Sequence, residues 1–281
     1  MKSGGTLFHI IQGTALLSLL LVVPASAQSH KLNNVDLCDG KDSTPPDLQI
    51  VGCTALIRSG ANTPQVKASA YNNRANALVA INRPDLALRD YNDSIKLNPK
   101  FAKAFNNRGV AFKKRGDLDT AINDFSEAVK IDPNYTNALV NRGEVYLAKN
   151  DYTQALKDFD EAIRLQPSVG SWWNERCWTH TLAGDLQEAI NDCNESLRLE
   201  PNSATTLDSR GLAYLKLGQW TPAIADYDAA LRLDPTLSTA LYGRGFARTK
   251  TGDIARGKAD MAAAKSGDNN VVTKFTRYGI Q

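Results

Sequence analysis

From residue 68 onward the chain alternates two apolar stripes with polar faces, and the alternation repeats every 34 residues. In residues 102–135, Phe105, Arg108, Gly109 and Phe112 stand at i, i+3, i+4 and i+7, the spacing of one helix face. Ala121, Asp124, Phe125 and Ala128 repeat the spacing and predict a second helix. Between them lies Gly116, and at the same interval stand Asn82, Asn150, Gly184, Gly218 and Gly252. Gly and Asn are the residues that tolerate the left-handed conformation at a helix C-terminus. Pro99, Pro133, Pro167, Pro201 and Pro235 then stop the second helix in five units. The pattern predicts six helix pairs, over 68–101, 102–135, 136–169, 170–203, 204–237 and 238–271.

The periodicity extends to whole motifs. Asn106-Asn107-Arg108-Gly109 returns as Val140-Asn141-Arg142-Gly143, Asp208-Ser209-Arg210-Gly211 and Tyr242-Gly243-Arg244-Gly245, with Asn72-Asn73-Arg74-Ala75 and Asn174-Glu175-Arg176-Cys177 as variants. Period, turn residues, small positions and proline together closely resemble the tetratricopeptide repeat, a helix–turn–helix of 34 residues. The resemblance covers roughly three quarters of the chain. It implies an all-α fold, a right-handed α-solenoid whose first helices line a concave groove. One column departs: every unit carries Arg where the family usually has Leu before the Gly.

Arg74, Arg108, Arg142, Arg176, Arg210 and Arg244 therefore lie on a face that packs inward, where a lone guanidinium is too costly to keep. Asp90, Asp124, Asp158, Asp192, Asp226 and Asp260 follow them by 16 residues, on the inward stripe of the second helices. A ladder of structural Arg–Asp pairs is expected, within or between units; the rival is an arginine ladder for phosphates. The aspartates keeping step favour the structural reading.

Cys177 occupies the small position held elsewhere by Gly109, and Cys193 the aromatic position of Phe125. On facing stripes of one hairpin, the two suit a disulfide. Cys38 and Cys53 suggest a second one in an N-terminal cap over 28–67. With His180 one turn further on, Cys177 and Cys193 could instead hold a metal, although no fourth ligand is near, or remain unpaired core thiols. Residues 270–281 read as a C-terminal capping helix and tail, with Val271, Val272 and Phe275 turned inward.

Residues 1–27 read as a cleavable secretory signal: Lys2, the apolar run Ala15–Val23, then Ala25-Ser26-Ala27. That run of nine residues falls short of the roughly 20 needed to span a bilayer. Export would place the four cysteines in an oxidising compartment, periplasmic or extracellular. A net charge of +3 without a dense basic stripe gives no footprint for nucleic acid.

For function, amides and charges cluster where the groove should be: Asn73, Asn76, Asn107, Lys113, Asn141, Glu144 and, further on, Trp178, with Asn72, Asn106 and Asn174 nearby. Asparagine offers both a donor and an acceptor to an extended peptide backbone. The expectation is a non-catalytic exported scaffold that binds a protein or peptide partner, as a monomer, with no cofactor and no metal. The alternatives are a module for cell-wall glycan or peptide, and a metal or redox protein built on Cys177, His180 and Cys193. No phosphate loop, nucleophile elbow or zinc-protease motif is present, and three histidines leave little for acid–base chemistry.

Overall fold

A computed structural model describes residues 33–280, which contain helices and turns and no strand. The signal-like residues 1–27 lie outside the described residues. The chain opens with α1 (Asn34–Cys38), a 3-10 turn and α2 (Pro46–Arg58). Six helix pairs follow: α3 (Pro64–Ala80) with α4 (Pro84–Leu97), α5 (Ala102–Arg115) with α6 (Leu118–Ile131), and α7 (Thr136–Ala148) with α8 (Tyr152–Leu165). Then come α9 (Gly170–Ala183) with α10 (Leu186–Leu199), α11 (Ala204–Lys216) with α12 (Trp220–Leu233), and α13 (Ser238–Lys250) with α14 (Ile254–Gly267). The short α15 (Val271–Arg277) closes the array.

Each hairpin turns by the same device. Asn82, Gly116, Asn150, Gly184, Gly218 and Gly252 all have φ between 58° and 98°. The next residue's N–H then reaches back to the last turn of the first helix: Asp117 to Phe112 O at 3.0 Å, Asp151 to Tyr146 O at 2.9 Å, Asp253 to Arg248 O at 2.9 Å. This six-residue closure satisfies carbonyls that a helix end leaves open.

Packing inside a hairpin follows a small-against-aromatic rule. A Cβ on Gly109 would lie 2.7 Å from Phe125, one on Gly143 2.9 Å from Phe159, and one on Gly211 2.8 Å from Tyr227. The glycines let the ring lie on the backbone of the first helix, and all three rings are fully buried. In the fourth pair the same place is filled covalently. Cys177 and Cys193 are disulfide-bonded with Cα atoms 5.4 Å apart, both fully buried. One sulfur bridge replaces a glycine and a ring.

The ends are covered differently. Cys38–Cys53 joins α1 to α2, with Cα atoms 4.5 Å apart, and α2 packs on α3. At the far end Val271 and Phe275 are buried as the sequence suggested, but Val272 is 37% exposed. On a helix of seven residues only one face, that of positions 271 and 275, can look inward, and 272 is rotated about 100° away.

Candidate functional site

The arginine column ties the superhelix together in two directions. In all six pairs Arg Nε and Nη2 donate to the two oxygens of the Asp sixteen residues on; for Arg108 and Asp124 the distances are 2.8 and 2.6 Å. Nη1 points the other way, to the preceding unit: Arg108 to Asn92 at 2.6 Å, Arg142 to Ser126 at 3.1 Å, Arg176 to Asp160 at 2.7 Å, Arg210 to Asn194 at 2.6 Å and Arg244 to Asp228 at 2.8 Å. Arg74, with no unit before it, donates to Thr54 of α2 at 3.0 Å. Each guanidinium thus grips its own hairpin and hooks the one before. Hydrogen bonds to the aspartates raise the pKa of Arg74, Arg142, Arg176, Arg210 and Arg244. A fully engaged guanidinium has no fork left for phosphate.

The amides that sequence reasoning placed along the groove are joined head to tail. Asn141 Nδ2 donates to Asn106 Oδ1 (3.0 Å), Asn106 to Asn107 (3.3 Å), Asn107 to Asn72 (2.9 Å), Asn72 to Asn73 (3.2 Å), and Asn73 to the Asp39 carboxylate (3.2 Å). Asn72 and Asn106 are buried, not displayed. The three links between helices, from Asn141, Asn107 and Asn73, donate towards the N-terminus, and the run ends on a group that only accepts. It stops at Asn141 because the next units change the side chains. Ser209, where a donor to Asn174 would stand, is too short and donates to Thr205 O at 2.9 Å. Asn174 Oδ1 is consequently buried without a partner. Gly243 offers no side chain to Asp208, which instead accepts from Thr239 Oγ1 at 2.7 Å.

The groove itself has two arms. Along α3 and α5 it is open: a hollow of about 150 Å³ is lined by Asn76, Tyr91, Asn107, Val110 and Lys114. Asn76 Oδ1 is already engaged by the Tyr91 hydroxyl at 2.6 Å. Lys113 pairs with Glu144 across to α7. Along α9, α11 and α13 the arm is occupied by the chain's own C-terminal segment. Tyr278 stands edge-on to Trp178 with ring centroids 5.2 Å apart, and Phe275 lies 4.6 Å from the ring of Tyr242. Trp178 therefore meets a ring of its own chain where the glycan alternative needs a free aromatic face.

On α9 and α11 stand two carboxylates out of their usual range. Burial, with Glu144 nearby, pushes Glu175 up to about 7 against the pull of Lys113. Burial pushes Asp208 up to about 7 against the Thr239 hydrogen bond. For the metal alternative, both thiolates of the fourth pair are consumed by the disulfide. His180 instead faces carboxylates, Nδ1 at 3.3 Å from Asp185 and Nε2 at 3.9 Å from Asp192. Among the described residues no three His, Cys, Asp or Glu side chains are grouped to hold a metal ion.

Sequence reasoning found the arginines and aspartates but missed the acceptor column that receives Nη1. Its signal is present: Asn92, Ser126, Asp160, Asn194 and Asp228 each stand two residues after the Asp, and Ala262 stands there in the last unit, which no unit follows.

Comparison with known proteins agrees with this architecture. Family models described as tetratricopeptide repeat match residues 68–101, 102–135 and 136–169, and one described as TPR repeat matches 211–252, together just over half of the chain. No curated protein matches the sequence significantly. Among solved structures, a tetratricopeptide repeat protein from Parabacteroides merdae superposes with a TM-score of 0.66 at 17% identity, over 87% of this chain and 96% of that one. Pseudomonas aeruginosa pilF gives 0.61 at 16% identity, over 75% and 95%. YrrB, described as a TPR protein with an unusual peptide-binding site, gives 0.52 at 17% identity, over 68% and 98%. At these identities the likeness is one of fold. With the repeat models, the six hairpins and the stacked grooves in agreement, the chain belongs to the tetratricopeptide repeat family.

Proposed function

We propose that this protein is an exported, non-catalytic scaffold that holds a protein or peptide partner in its concave groove. The observation that carries the reading is the open arm over α3 and α5. There Val110 and Lys114 face a hollow of about 150 Å³ beside Asn76 and Asn107. An apolar floor with a few fixed polar groups and a cation at its rim suits an extended segment with an apolar anchor and a nearby carboxylate. YrrB, which shares the fold, is described as having a peptide-binding site. Two buried disulfides support export, since such bonds persist in oxidising compartments.

The test is capture of partners by crosslinking in the protein's own compartment, with Val110→Asp/Lys114→Glu as the control. Lys114 is exposed, but Val110 is partly buried against the cluster of Phe125 and Val145, so the control counts only when its melting temperature matches wild type, and Lys114→Glu alone serves where it does not. A protein recovered by wild type and lost by the control supports the groove; recovery by both places binding elsewhere. N-terminal sequencing of the exported protein should begin at Gln28, and an intact N-terminus would overturn the cleavage reading.

A further inference from the structure

Covering the last hairpin requires only that α15 lie on α13 and α14, which Val271 and Phe275 already do. The chain goes further. Gly279, with φ 84°, ends α15 in the same closure used at every hairpin, Ile280 N–H donating to Phe275 O at 3.0 Å. That turn leaves Tyr278 against Trp178 of α9, two units back, and packs Ile280 with the apolar cluster of α11–α13. A cap has no need of a contact 100 residues away in sequence. Tyr278-Gly279-Ile280 thus lies where a ligand of a repeat groove would lie: an aromatic and an aliphatic side chain, set apart by a left-handed glycine, across three successive first helices.

The fit is incomplete. A hollow of about 390 Å³ remains beside the segment, walled by Leu215, Trp220 and Phe246 and rimmed by Lys216 and Lys250. Lys216 is tied to Thr181 O at 2.7 Å, and Lys250 stands 4.9 Å over the Phe246 ring. A core would have closed over such a space, because interiors pack without large voids.

We propose that the groove of α9, α11 and α13 is a recognition site for a partner segment carrying an aromatic–glycine–aliphatic sequence, and that Tyr278-Gly279-Ile280 is its resident, displaceable occupant. This rests on the scaffold reading and gives its second arm a ligand chemistry. A tethered occupant competes at high effective concentration, so a partner binds more weakly by the fraction of time the site is open.

The test uses the full chain carrying Tyr278→Ala and Ile280→Ala, and a fluorescein-labelled peptide of sequence VTKFTRYGI, residues 272–280. Polarisation should show saturable binding at least about tenfold tighter than to wild type. Adding Trp178→Ala should weaken it by a similar factor, and a peptide with its Tyr and Ile changed to Ala should not bind. Equal affinity for wild type and variant, or no binding to a variant that keeps wild-type helicity, overturns the proposal. Should the variant not fold, wild type decides: excess unlabelled peptide should speed hydrogen exchange at Tyr278 and Ile280 about tenfold or more while α13 stays protected, and unchanged exchange overturns the idea. Failure here, with partner capture still sensitive to Val110 and Lys114, removes only this site; loss of that sensitivity removes the scaffold reading.

Discussion

Arg108 reaches Asn92 Oδ1 of the preceding hairpin at 2.6 Å with the one guanidinium nitrogen that Asp124 leaves free. The contact makes one side chain responsible for both the geometry of a hairpin and the angle between hairpins. An apolar residue at that position could pack but could not fix the offset between units as narrowly. A buried ion pair adds little net stability over apolar packing, so its role here is to set register.

Arg108→Leu should therefore cost about 3–5 kcal/mol, because Asp124 is left buried and unpaired. Arg108→Leu/Asp124→Leu should recover most of that loss. Urea unfolding of the two variants decides it, and a single variant as stable as wild type would refute buried pairing. Asn92→Ala should cost only about 1 kcal/mol, the net worth of a hydrogen bond near the surface.

The fourth hairpin gives a sharper test of the packing rule. Opening Cys177–Cys193 frees a loop of about 15 residues and should lower stability by roughly 3 kcal/mol. Cys177→Gly/Cys193→Phe restores the pair seen at Gly109 and Phe125. That variant should melt above Cys177→Ala/Cys193→Ala and be insensitive to reductant at this site. A Gly/Phe variant no more stable than the Ala pair would show that the disulfide has reshaped the hairpin rather than filled a standard space.

Asn107→Ala breaks the amide run at its middle. It removes the donor to buried Asn72 Oδ1 and the acceptor for Asn106 Nδ2. Each unsatisfied buried group costs about 1–3 kcal/mol. Thermal melting should show a clear loss, whereas Asn137→Ala, at an exposed position, should leave the melting temperature near wild type. Equal melting for both would mean the run contributes nothing.

These contrasts show why some of the molecule could be read in advance and some could not. The turn residues, the small-against-aromatic columns and the Arg–Asp spacing are local or periodic, and the repeat multiplies the first and last sixfold and the packing pair fourfold. The outward hook of Arg142 on Ser126 was legible only as a column of differing acceptors, Asn, Ser and Asp, ending in Ala262. Asn72 and Asn106 read as exposed because a polar side chain on a helix face ordinarily is. Their burial depends on partners 35 residues away that satisfy them in pairs. Tyr278 meeting Trp178 belongs to no period, so nothing in the repeat announced it.

Glu175 and Asp208 predict an inverted pH response. Their folded-state pKa values, about 7, lie above the ordinary 4.5 and 3.8, so between those limits the folded chain holds protons that the unfolded chain has released. The contribution of these two groups to stability then falls as pH rises from about 4 to about 7 and levels off above. For Glu175 the neighbours are Glu144, which adds to the rise, and Lys113, which opposes it. Glu175→Gln removes the charge and keeps the shape, so its stability relative to wild type should grow with pH, by about 1–2 kcal/mol between pH 5 and 8 after solvent screening. Asp208→Asn should behave likewise while keeping the acceptor for Thr239. Urea midpoints at the two pH values measure both. A gap between variant and wild type that is the same at pH 5 and 8 would mean these carboxylates titrate as in water and the groove floor is better solvated than its packing indicates.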